Sequence, residues 1–124
     1  MEHAHRKLTT HQITVLIQVL RTFPNERVAI VYSAAASDGR AYALDFMAIF
    51  KAIGWDVSGP EAAEFPGGES VALALLVSAG GGIPACAEAL RDALRIYEIE
   101  VETRVGGEKH VAADGFGLWV GEVG

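Results

Sequence analysis

The stretch with the most chemical promise is LLVSAGGGIPACAEAL, residues 75–90. An apolar run ends at Ser78, three glycines follow, and a proline precedes a helical pattern. Gly80, Gly82 and Ala85 match the G-x-G-x-x-G/A spacing of a dinucleotide fingerprint, and Glu100 stands twenty residues beyond Gly80. Such a loop works by aiming backbone N–H groups at a pyrophosphate at a helix N-terminus. Pro84 has no N–H to aim, and Ile83 places a branched side chain where close approach is needed. The motif also follows a strand in the second half of the chain, not the first strand–helix unit. Gly80, Gly81 and Gly82 therefore read first as a turn and second as an anion site.

In open α/β sheets, ligands bind beyond the carboxyl ends of the strands. Loops 33–40 and 78–84 are expected to meet there, placing Ser37, Asp38, Arg40 and Ser78 near two helix N-termini, a setting that favours a small anion. The plainer reading is that Ser37 or Asp38 caps a helix and Arg40 is solvated.

The remaining reactive side chains are less suggestive. Cys86 falls in the first turn of a helix, where a dipole lowers a thiol pKa, but also on the apolar face, where it serves as a small hydrophobe. His3, His5 and His11 lack the paired ligand spacing of a zinc site. Ser78, His110 and Asp114 could be drawn as a triad, without a nucleophile elbow to support it. The sequence thus predicts no catalytic set, no metal and no cofactor.

The elements that must position these residues are legible. Thr9 and Gln12 form a capping box, with Leu8 and Ile13 as its hydrophobic staple, opening a helix over 9–23. RVAIVYS (27–33) reads as a buried strand. A helix over 40–53 presents Ala43, Phe46, Met47, Phe50 and Ile53, and ends on Gly54 with Trp55 packed back on Phe50. A short strand follows at 56–58. SVALALLVS (70–78) is apolar on both faces, as a strand covered on both sides must be. A helix over 84–97 presents Cys86, Leu90, Ala93, Leu94 and Tyr97. IEVETRV (99–105) alternates, with Ile99, Val101, Thr103 and Val105 inward and Glu100, Glu102 and Arg104 outward. FGLWVGEV closes the chain.

The order α-β-α-β-β-α-β-β predicts one α/β domain over 9–124 behind a flexible segment 1–8. Its fold is a two- or three-layer sandwich of three helices on a mostly parallel, mixed five-stranded sheet. The strand at 56–58 is expected at one edge, 70–78 at the centre, and the last two strands as an antiparallel pair at the other edge.

The first helix carries an excess. Six of the eight residues from Ile13 to Leu20 are apolar, a wider arc than one sheet needs. Ile13, Val15, Leu16, Val19 and Leu20 are candidate self-association residues, which makes a homodimer or larger homo-oligomer the expected partner. Burial by the chain's own neighbouring helix is the competing account.

Several short stretches together carry a resemblance. They are Arg6-Lys7-Leu8-Thr9, Phe23-Pro24, Arg27-Val28-Ala29-Ile30, Lys51-Ala52-Ile53-Gly54-Trp55-Asp56-Val57 and Val120-Gly121. In these the chain resembles the α/β domain of small uncharacterised bacterial proteins, often found behind membrane helices. The resemblance implies a fold and no activity. Two departures weigh against membrane attachment: no membrane segment is present, and the end is Gly121-Glu122-Val123-Gly124 instead of a lysine–proline tail.

Composition narrows the classes. The 124 residues are 51% hydrophobic and 21% charged, an ordinary globular balance. The net charge of −6 comes from the second half, where residues 61–124 hold four Lys/Arg against eleven Asp/Glu. Without a basic cluster, nucleic acid is not an expected partner. No run reaches the ~18 apolar residues of a membrane span, no signal peptide opens the chain, and the single cysteine suits a reducing compartment. A cytoplasmic location is expected.

Overall fold

The computed structural model describes residues 6–64, 71–80, 82–106, 111–112 and 115–122. The capping box opens the first helix as its residue types require. The Gln12 amide donates to Thr9 Oγ1 at 3.1 Å, and the Thr9 amide donates to Gln12 Oε1 at 2.9 Å. Helix α1 then runs Thr10–Leu20. Strand β1 is Arg27–Ser33 and helix α2 is Gly39–Ala52. The end of α2 is also as expected: Gly54 has φ +83°, the Trp55 amide donates to Phe50 O at 3.0 Å, and the two rings stack 5.2 Å apart. Glycine is the residue that adopts this left-handed C′ position without steric cost. Strand β2 is Asp56–Ala63, longer than the three residues expected, and is followed by β3 (Leu73–Val77), α3 (Ala85–Ile96), β4 (Glu102–Val105) and β5 (Phe116–Val120).

The fold is α/β, with three helices on a mixed, mostly parallel five-stranded sheet of order β2-β1-β5-β3-β4. Strand β2 lies at an edge beside β1, as predicted. The other side needs correction. The last two strands do not pair; β5 sits in the middle, parallel to β1 and antiparallel to β3, while β4 lies alone at the far edge, parallel to β3. The reason lies in the side chains. All five residues of FGLWV are buried, whereas ETRV is exposed at both ends. A strand apolar on both faces belongs inside a sheet, and a charged one at its rim.

This order decides the number of layers. The two crossovers, β1-α2-β2 and β3-α3-β4, move outward in opposite directions from strands that run in opposite directions. Right-handed connections then place both helices on the same face. One core accordingly joins residues of α1, α2 and α3 to Val28, Ile30, Leu73, Leu75, Phe116 and Leu118 of the sheet. The other face holds a smaller cluster built on Val31, Ala74, Leu76 and Trp119. The sandwich therefore has two layers.

Helix α1 rests against α3 and α2. Leu16 and Leu20 are fully buried within the chain's own core, and Ile13, Ile17 and Val19 are half-buried against it. The neighbouring helices thus take up much of the wide apolar arc. Residues 6–8, expected to be part of a flexible segment, are held: Leu8 is buried in the same core, and its amide donates to Asp45 Oδ2 at 3.1 Å.

Candidate functional site

The two loops expected to form one binding site leave the sheet at opposite ends. Tyr32, near the end of β1, and Leu73, at the start of β3, both register with Val120 of β5, while Leu76 registers with Gly117. The strands β1 and β3 are therefore antiparallel through β5. Ser37, Asp38 and Arg40 stand at one end, and Ser78, Gly80 and Gly82 at the other. Five residues of strand at about 3.3 Å each keep them roughly 15 Å apart. The sequence shows that strands alternate with helices, but it does not show which strands run in reverse.

At the first end a buried ion pair forms that local sequence reasoning missed. Arg6 Nε and Nη2 donate to Asp38 Oδ2 and Oδ1, each at 2.9 Å, and the Arg6 amide donates to Oδ2 at 2.8 Å. Arg6 Nη1 donates to Ala72 O at 2.9 Å, and Nη2 also donates to Gly121 O. The guanidinium carbon lies 5.0 Å from the centre of the Tyr42 ring. One side chain thereby ties the chain before α1 to the start of α2, the approach to β3 and the exit of β5. The hydrogen bonds from Arg6 hold the Asp38 carboxyl down at about 2, against burial that pushes the other way. Asp38 makes no side-chain cap on α2, and Ser37 and Arg40 are exposed. The only sequence signal for this knot was Leu8, whose staple position fixes the entry of the chain beside the core.

At the second end Gly80 lies in a turn. Gly80 and Gly82 have φ of +78° and +71°, the left-handed region that favours glycine. A Cβ built at either would meet nothing within 4 Å, so no close neighbour demands the missing side chain. Ser78 is exposed. Pro84 stands immediately before α3, and its carbonyl accepts from the Glu88 amide at 3.0 Å. Gly81, His3, His5, His110 and Asp114 lie outside the described residues.

Cys86 is buried in the main core. Burial, followed by the negative charge of Glu26, pushes its thiol up to about 11. A thiol raised from the usual 9.0 to about 11 presents roughly a hundredth of the usual thiolate at pH 8. Labelling by a disulfide reagent at that pH is expected to be at least ~100-fold slower in the folded chain than in urea. Equal rates would place the thiol at the surface. His11 is exposed, its ring 5.9 Å from that of Tyr97 in an edge arrangement. Among the described residues no group of three His, Cys, Asp or Glu side chains could hold a metal ion, and no helix is long and apolar enough to cross a membrane.

The two rims of the sheet differ in their chemistry. Along β2 the register with β1 shifts between Ala29 and Val31, and Pro60 interrupts the row of N–H groups. Both features blunt an edge against pairing. Strand β4 has neither. Its register with β3 is regular, from Ala74↔Glu102 to Val77↔Val105. Thr103 lies on the helix side and accepts from Arg91 Nη1 at 3.3 Å. Glu102 and Arg104 lie on the other side, paired at 2.6 Å. Val105, expected to point inward, is 59% exposed, at the end of the last strand in the sheet order. No family model, curated protein or solved structure matches the chain.

Proposed function

We propose that this chain is a non-catalytic interaction domain that associates with copies of itself. The observation that carries the reading is the unblunted β4 rim, a regular strand with an exposed valine at its end, beside a β2 rim that is broken by a register shift and a proline. A row of outward backbone groups is a template for another strand. The described polar side chains support a structural reading. Asp38 is engaged by Arg6, and the Trp55 and Trp119 indole N–H groups donate to Phe23 O and Val71 O at 2.7 and 2.8 Å. Along α1, Ile13, Val15 and Val19 are half-exposed, whereas Leu16 and Leu20 are enclosed. A cytoplasmic setting belongs to the same proposal, supported by the one buried thiol. The anion-binding alternative keeps its residues at two separate ends of the sheet, and nothing favours it over association.

Sedimentation velocity over micromolar to millimolar concentration tests the reading. The expected result is a weight-average mass that climbs from 13.1 kDa towards twice that value. A mass of one chain across the whole range would overturn it.

A further inference from the structure

We infer that the partner is a second copy of this chain, joined antiparallel through β4 about a two-fold axis at Thr103. The inference rests on the self-association reading above and names its surface. It starts from the direction of the backbone groups. The Gly106 amide donates inward to Val77 O at 2.9 Å. Alternation along the strand then turns residues 104 and 102 inward as well, and leaves the amides and carbonyls of Val101, Thr103 and Val105 facing outward. Those are the groups an added strand must meet.

Charge selects the register. With Thr103 opposite Thr103 of the second copy, Glu102 lies opposite Arg104 and Arg104 opposite Glu102, while each exposed Val105 meets the half-buried Val101. Opposed residues in such a pair bring their Cβ atoms within about 5 Å, close enough for ion pairs and apolar contact. A slip that centres the axis on Glu102 sets two glutamates face to face, and one centred on Arg104 sets two arginines face to face. Like charges directly opposite are destabilising, so one register stands out. Pairing about a two-fold axis is also closed: it uses the β4 edge of each copy once and leaves no growing sheet.

The helix layer agrees. Arg91 of α3 reaches Thr103, so the axis passes near the level of Arg91. An antiparallel neighbouring α3 then brings the exposed Glu88 of one copy towards the exposed Arg95 of the other, and the reverse. The same axis therefore matches opposite charges on the strand and on the helix.

The test exploits the self-complementary code. Arg104→Glu leaves two acidic residues on the strand, and Glu102→Arg leaves two basic ones. Each variant alone is expected to be a monomer where the parent chain is a dimer, with the dissociation constant raised at least tenfold. An equimolar mixture is expected to recover the dimer mass, because every opposed pair is then of opposite sign. At concentrations where the parent is also monomeric, unchanged melting temperatures of both variants confirm that the fold is intact, as expected for surface changes. Thr103→Cys gives a second readout: a residue on its own axis should oxidise to a linked dimer, whereas Glu102→Cys should not. Dimers that persist in both charge variants would overturn the β4 assignment and leave self-association standing. Loss of the dimer in Val15→Asp but not in Arg104→Glu would move the interface to α1. A parent chain that stays monomeric would remove both readings.

Discussion

Leu16→Asp unfolds this chain. Leu16 is fully buried at the point where α1 meets the helix layer, and its replacement both empties the site and forces a carboxylate into it. Truncating a buried leucine costs about 2–5 kcal/mol, and an unpaired buried charge adds several more. Together these approach or exceed the ~5–15 kcal/mol by which domains of this size are stable. The expected result is the loss of a cooperative melt, or a melting temperature at least ~20 °C lower. Val15→Asp, one position away, is expected to cost less than ~1 kcal/mol, because Val15 is half-exposed and surface changes stay small. A Leu16→Asp protein melting within a few degrees of the parent would mean that α1 does not pack as described. The contrast also separates two roles that an apolar arc alone confounds. A buried position fails by unfolding, and an interface position fails by dissociation with the fold intact.

The features legible in the sequence are those whose signals are local. The capping box at Thr9, the Gly54–Trp55 ending and the apolar faces of α2 and α3 depend on residues within a turn or two of one another, and each is found where the pattern puts it. The placement of β5 does not depend on such neighbours. Its slot between β1 and β3 follows from its burial on both faces, which FGLWV announces, and from a connection long enough to reach past β3. A hairpin was the simpler expectation for two strands in sequence, and it was wrong because the charged ETRV segment suits a rim better than the middle.

The same non-local fact took apart the expected ligand site. Strand direction is a global property, and reversing β3 relative to β1 sends the glycine turn to the far end from Asp38. The Arg6–Asp38 pair was hidden for a related reason: its partners stand 32 residues apart, and neither belongs to a periodic pattern. The β4 rim was half legible. Alternation gave a charged outer face that suits an exposed or edge strand, and the strand order places β4 at the rim beside β3 and not in a pair with β5.

Arg6→Ala is the second change with a large expected effect. Arg6 is 17% and Asp38 8% exposed, and the arginine serves one carboxylate and two carbonyls at once. Removing its side chain leaves the Asp38 carboxylate without its counter-charge, held by the residue-6 amide, and strands the acceptors at Ala72 and Gly121. Breaking such a pair from one side costs about 3–5 kcal/mol, which in a chain of this length lowers the melting temperature by roughly 10–20 °C. Arg6→Lys should recover only part of this, since an ammonium cannot present the planar fork that spans these acceptors.

Acid provides an independent readout of the same pair. The folded carboxyl titrates at about 2, below its ordinary 3.8, so the unfolded chain takes up the proton first. The stabilisation is then complete above about pH 5 and is lost as pH falls towards 2, an effect on the order of 2 kcal/mol. Urea denaturation at pH 6 and pH 2.5 should show this loss in the parent and a flatter profile in Asp38→Asn. The double change Arg6→Ala with Asp38→Asn should cost less than the two single changes summed, because the second removes the stranded charge left by the first. Additive costs, or identical acid profiles in parent and Asp38→Asn, would mean that the N-terminal segment is not fastened through this carboxylate. The order of the costs matters for the fold as a whole. If the latch behaves as described, three segments distant in sequence are stabilised through one guanidinium, and an ion pair that looks like a binding site is the fastening of the chain end to the sheet.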